Sequence, residues 1–408
     1  MERYGSKLIK YRFENNLVIV TAVFFSLNAI KPWIDIFFGI SNQLITGLQL
    51  ILLLLSFLYF LLHTRENISI WTFLILSYVC LRYFAELQIM LFTEFKLESL
   101  VAATYSVVRI AMFFLFLQVL SFNLSRRCID RLKNIFLSYF MYTVLISALQ
   151  HPLIFDVSNL RNFGGNHVSG NGLEIFRATG GIGGTVIGYA NYLLSVCWLV
   201  IFGSYKYHHF GKLISVALIF SVFVCFSRSV FLSVFVIYFF LMIFNFKKSH
   251  ALYLILLLLV GLTLDFDSIR DAYSVMIASS DASRIDSWVR ISNNLGLLTV
   301  LVGNQVGQNT GLLTGGMVSL SGDSFLLGTL NDFGLIGVLL FVGATWSSFQ
   351  RFKFGLNVQL GMFTSFMLML FVNSGFEKLT VMFSYALVLA IIRGLHVDKP
   401  ISGIKATQ

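Results

Sequence analysis

The sequence predicts an all-α, polytopic integral membrane protein with about twelve transmembrane helices, and three observations carry that prediction. Only 12% of the 408 residues are charged and 57% are hydrophobic, whereas soluble domains carry roughly 25% charged residues. Apolar runs near the roughly 20 residues needed to cross a bilayer recur from Leu17 almost to the C-terminus. No polar stretch between them is large enough for a soluble domain, so residues 1–408 read as a single membrane domain.

Taken in order, the runs place spans at 16–36, 42–62, 70–90, 100–120, 135–152, 178–203, 213–226, 229–245, 251–265, 323–345, 356–373 and 379–394. Basic residues orient them. With the N-terminus inside, and with Lys31 and Arg393 near span ends counted with the segments they adjoin, 18 of the 29 Lys and Arg residues fall in inner segments, 9 in outer segments and 2 within spans, as the positive-inside rule requires. SRRCIDRLK, KYHHFGK, FKK and RFK then lie inside, and both termini are cytoplasmic. The basic stretch MERYGSKLIKYRFENN is expected to be an uncleaved tail, because no short apolar region with a small-residue cleavage site follows it.

The same composition excludes several classes. Cys80, Cys197 and Cys225 sit in apolar segments and Cys128 in a basic loop, so neither a disulfide pair nor a zinc-ligand spacing is offered. His151, His167, His208 and His209 form no metal spacing, and neither metal nor cofactor is expected. A net charge of +10 in a membrane chain points to loops facing anionic lipid rather than to nucleic acid.

Two outer loops stand apart by length. The first, 153–177, leads into a segment with nine glycines between Gly164 and Gly188, a density that allows close backbone approach to a ligand or close helix contact. The second, 266–322, is long enough to require its own structure. In SRIDSWVRISNNLGLL, Ile285, Trp288, Val289 and Leu295 recur at helical spacing, predicting an amphipathic helix at the interface.

The outer segments concentrate arginine: Arg161, Arg177, Arg228, Arg270, Arg284 and Arg290. Arginine presents a fork of donors suited to phosphate, which the more strongly hydrated lysine does not. Arg228, in FSRS at the tip of the tight hairpin between spans seven and eight, reads either as a snorkelling helix-end residue or as a phosphate ligand. Arg177, in FRATGG ahead of span six, has the same location. Arg284 and Arg290 have Asp281 and Asp286 as alternative partners. Within the spans, Arg82 and Glu86 lie four residues apart and are expected to pair structurally, while Arg109 has no sequence-local partner. Asp323 opens span ten at the outer surface, where it suits a helix N-cap and equally a general base. Glu174 is the other outer carboxylate placed for that role, and Asp332 reads as a buried helix contact.

The order RATGG, GYANYL, FSRS, SRIDSW in a long outer loop, a glycine-rich stretch and then DSFLLGTLNDFGLIG resembles the Wzy-type O-antigen polymerase and O-antigen ligase superfamily over about residues 177–345. That resemblance implies a GT-C-like membrane glycosyltransferase at the outer face of the bacterial plasma membrane, with undecaprenyl diphosphate-linked oligosaccharide as donor and acceptor and a chain-length regulator as a possible partner. It implies that Arg228, Arg177 and Arg284 bind the lipid diphosphate; Arg161 with Gly172 fits an arginine-to-glycine spacing of the polymerases. The ligase branch has His-Asn where this chain has Asp323 and Ser324, so the expected activity is polymerisation of an O-antigen or capsule repeat unit, with inversion and without metal. An O-antigen ligase is the alternative within the class, and a lipid-linked oligosaccharide flippase is the alternative outside it.

Overall fold

The computed structural model describes residues 2–38, 42–63, 68–92, 97–152, 154–155, 166–170, 173–182, 186–203, 210–225, 228–244, 289, 296–304, 306, 324–372 and 378–396. These residues are almost entirely helical. In chain order the elements are α1 (Glu2–Phe38), α2 (Asn42–His63), α3 (Ile70–Phe92), α4 (Leu97–Leu120), α5 (Arg126–Gln150), β1 (Asn166–Gly170), β2 (Leu173–Arg177), α6 (Val186–Phe202), α7 (Phe210–Cys225), α8 (Arg228–Phe244), α9 (Leu297–Val302), α10 (Phe325–Arg351), α11 (Leu356–Val372) and α12 (Leu379–His396). Among the described residues five helices are long and apolar enough to cross a membrane: Lys10–Ile34, Ile70–Phe92, Ser99–Leu120, Arg126–Gln150 and Phe325–Arg351. The predicted span at 251–265 and the predicted interfacial helix around Trp288 lie outside the described residues, apart from Val289, Gly296, Leu297 and Leu298.

A helix that is apolar on all sides must be buried on all sides or face lipid. α6 and α12 take the first course: they pack on each other, and Leu193, Trp198, Met382, Ala386 and Ile391 are fully buried. α4 and α5 pack on α12 and α7 packs on α6, while α1 packs on α5 and reaches α12 through the Thr380 hydroxyl bond to Asn28 Oδ1. Aromatic edges knit the layers, with Phe24 on Phe383 at 5.0 Å and Trp198 and Phe366 each 4.9–6.2 Å from a neighbouring ring. α2 and α3 take the second course. Leu48, Ile51 and Leu55 of α2 and Phe73, Leu81 and Phe84 of α3 are exposed, an apolar surface far larger than soluble proteins tolerate.

Two elements depart from the predicted spans. The sixth span was expected from 178, but α6 begins at Val186. Residues 178–182 instead form a turn in which Gly180 and Gly181 hold φ of 58° and 73°, left-handed values that end regular structure and favour glycine. Before that turn, β1 and β2 pair antiparallel, with Asn166 opposite Arg177 and Ser169 opposite Glu174. The first loop therefore contains a hairpin that alternation in the sequence did not announce.

The second departure is inside α10. Gly334 adopts φ 67° and ψ −174°, a conformation essentially confined to glycine, and the helix breaks there. Broken helices deep in a bundle must have their freed backbone groups satisfied. Here the Asn304 N–H donates to the Asn331 carbonyl at 2.6 Å, and the Tyr78 hydroxyl reaches the Phe333 carbonyl at 2.8 Å. Arg82 Nη2 holds the Asn304 carbonyl at 2.5 Å, so the structure commits its guanidinium to a tertiary contact where a pairing with Glu86 within α3 was expected. Gly303, at φ 90°, lets α9 end directly against the break.

Candidate functional site

RATGG is built as a clamp. Gln150, the last residue of α5, accepts from the Thr179 and Gly180 N–H groups at 3.1 and 3.2 Å, and its amide nitrogen donates to Thr179 Oγ1 at 3.1 Å. One buried amide thus ties the turn to α5. A second tie runs to α7: the Ala178 N–H donates to the Val224 carbonyl at 3.0 Å, and Phe176, Ala178 and Val224 form a small buried cluster. Arg177 lies between these anchors, and its Nε donates to the Cys225 carbonyl at 3.4 Å. Because Cys225 ends α7 and Arg228 begins α8, the bond from Arg177 to Cys225 brings the RATGG segment to the chain position three residues ahead of Arg228. The sequence separates Arg177 and Arg228 by about fifty positions; the Gln150 clamp and the α7 carbonyls join their segments.

The start of α10 is carried to the same end of the bundle. Ser324, not Asp323, is its N-cap: Ser324 Oγ accepts from the Leu327 N–H at 3.2 Å. The expectation that Asp323 caps this helix is therefore corrected, since the next residue already satisfies the exposed N–H. Ser324 Oγ also lies 3.5 Å from the Leu370 carbonyl of α11. The neighbouring Met369 Sδ is 3.7 Å from Ser233 Oγ of α8, little more than one turn beyond Arg228. Asp323, Arg161, Arg284 and Arg290 lie outside the described residues; Glu174 is placed in β2, three residues before Arg177.

Arg109, given little weight from sequence, acquires a place. It is 2% exposed, and its guanidinium carbon lies 5.2 Å from the centre of the Phe325 ring, one residue past the α10 cap. Ser106, on the same face of α4, donates to Asp332 Oδ2 at 3.2 Å. A buried cation and a buried carboxylate thus line one α4–α10 seam, immediately above the break at Gly334. Gln150 and Tyr78 were missed altogether. A signal existed for Gln150, an amide closing an otherwise apolar run, because a buried amide requires partners.

His151 follows α5 and sets its ring edge-on to Phe176 at 5.7 Å. Burial disfavours the imidazolium and holds the pKa below the ordinary 6.5. Above that value both folded and unfolded chains carry neutral imidazole; as pH falls through 6.5 towards the lower folded value, the unfolded chain takes up its proton first and stability is lost. The melting temperature of wild type is expected to drop more between neutral pH and pH 5 than that of His151→Gln, and parallel profiles would refute this. Among the described residues no cluster of three or more His, Cys, Asp or Glu could hold a metal ion.

No protein-family model matches the chain, and no curated protein matches it in sequence.

Proposed function

We propose that this chain is a membrane glycosyltransferase that polymerises a polysaccharide repeat unit, an O-antigen or capsule polymerase of Wzy type, embedded in a bacterial plasma membrane through about twelve helices. The observation that carries the proposal is the joining of Arg177 to the end of α7, three residues ahead of Arg228. One arginine anchored by a backbone bond, with a second at the start of α8 three residues beyond the carbonyl it holds, suits a lipid-borne diphosphate, whose charge lies at the membrane surface while its tail stays in lipid.

In the proposed reaction, an acceptor hydroxyl on one lipid-linked repeat unit attacks the anomeric carbon of the growing glycan. The bond from that carbon to the diphosphate oxygen breaks, and the electron pair leaves with undecaprenyl diphosphate. Arg177 and Arg228, with Arg284 from the long loop, neutralise the charge that accumulates there; such a donor contributes roughly 3–4 kcal/mol. The hydroxyl proton passes to Asp323, or to Glu174 if that carboxylate is nearer the acceptor, and one displacement inverts the anomeric centre. Arg161 and Arg290 would hold the glycan or its diphosphate from the two loops.

With Ser324 capping α10, the two neighbours make separable demands. Ser324→Ala is expected to cost about 1 kcal/mol of stability with transfer retained. Asp323→Asn is expected to leave thermal stability unchanged and to abolish transfer. Full elongation by Asp323→Asn would move the base to Glu174.

A second reading has its own support. The break in α10 and the buried Arg109 and Asp332 resemble the discontinuous helices and intramembrane charges of carriers, which keeps a lipid-linked oligosaccharide flippase in view. Deleting the gene and scoring the polysaccharide of the cells separates the readings. Loss of polymerase leaves single repeat units attached to their acceptor, loss of the flippase leaves none, and loss of a ligase leaves long chains unattached.

A further inference from the structure

Away from the arginine tip, at the other end of α5 and so about 36 Å away along that helix, lies a cleft that the proposed reaction does not use. It lies where α4 ends, α5 begins and α12 ends, and it is lined by Phe122, Asn123, Arg126, Ile129, Arg393 and Gly394, among others. Its interior volume is about 80 Å³, below that of clefts that enclose a whole small ligand, so it would seat a headgroup and not an entire molecule. Its two cations come from distant parts of the chain. Arg126 is exposed in the first turn of α5, and Arg393 is braced by donating Nη1 to the Ser121 carbonyl. Gly394 packs so closely on α5 that a Cβ there would meet Ile129 at 2.6 Å.

Among the described residues, Glu14 and Asp130 have other partners. Glu14 accepts from the Ser125 N–H at 2.7 Å and from its hydroxyl at 2.5 Å, with Lys10 at 4.0 Å. Asp130 pairs with Lys133 at 3.0 Å. The cleft lining combines the guanidinium groups of Arg126 and Arg393 with the apolar side chains of Phe122, Leu124 and Ile129. A free phosphate would use only the first of these features. An anionic phospholipid would use both, its phosphate against the arginines and its glycerol and upper acyl carbons against the apolar side chains.

We propose that this cleft binds the headgroup phosphate of an anionic phospholipid, independently of the reaction at the other end of the bundle. The test uses the purified full-length chain in detergent, with bound lipid titrated by native mass spectrometry. Phosphatidylglycerol and cardiolipin are expected to bind in clear preference to phosphatidylcholine. Arg126→Gln, at an exposed position that leaves the Arg393 brace intact, is expected to weaken anionic lipid binding about fivefold, and Arg126→Gln with Arg393→Gln about 25-fold. Lys353→Gln, an exposed basic residue outside the cleft lining, should bind as wild type does. Equal retention of zwitterionic lipid, unchanged binding by the double variant, an equal loss in Lys353→Gln, or displacement of the lipid by millimolar inorganic phosphate would each overturn the proposal.

Discussion

Arg228→Lys is expected to lose polysaccharide elongation nearly as completely as Arg228→Ala, by roughly 100-fold or more, the cost of removing one well-placed donor to developing negative charge. Lysine keeps the charge but replaces a planar fork with a compact, strongly hydrated ammonium. If the residue only snorkels to the membrane surface, lysine substitutes well and alanine costs little. The same series at Arg177 should behave differently in one respect. Its Nε is already bonded to the Cys225 carbonyl, so Arg177→Ala is expected to lower stability as well as activity. Polymer ladder length, normalised to the amount of protein in the membrane, reads the activity, and thermal melting of the purified variants reads the stability. Wild-type ladders from Arg228→Ala would return that residue to the surface role.

The second large effect concerns the fold. Gly334→Ala is expected to destabilise the protein by about 3 kcal/mol or more, since it combines a glycine-only backbone conformation with a steric clash. A Cβ at this position would stand 2.3 Å from the Leu301 carbonyl oxygen. Relief requires either straightening α10, which strands the Tyr78 and Asn304 contacts, or lifting α9 away. Gly303 faces the same break, where a Cβ would meet the Asp332 carbonyl at 2.5 Å, so Gly303→Ala should produce a similar loss. Gly47→Ala is the control: it lies within α2 with nothing within 4 Å of the added carbon, and the gain in helix propensity should make it neutral or slightly stabilising. Equal melting temperatures for Gly334→Ala and Gly47→Ala would contradict the break as a built feature.

Hydropathy made most of the helices readable because burial in a bundle or in lipid asks only that a run be long and apolar. It fails where the fold depends on particular distant partners. RATGG reads as the start of an apolar span, and only the Gln150 amide, the Val224 carbonyl and two left-handed glycines turn it into a clamp. Similarly, LNDFGLIG resembles continuous helix until Tyr78 and Asn304 are available to satisfy its broken backbone. Asp323 and Ser324 are both good caps by residue type, so local sequence does not choose between them; the backbone geometry chooses Ser324. From sequence, Arg177 and Arg228 are identifiable only as arginines of the predicted outer segments. Their juxtaposition depends on how β2 meets the end of α7, which no local pattern encodes.

The most direct test places the purified chain in nanodiscs and in sealed vesicles with an undecaprenyl diphosphate-linked repeat unit. The proposed function predicts a ladder of elongated glycan from wild type and none from the Arg177→Ala, Arg228→Ala double variant retained in the same membranes. Movement of the lipid-linked unit across the vesicle bilayer with no elongation would contradict it and identify the chain as a carrier.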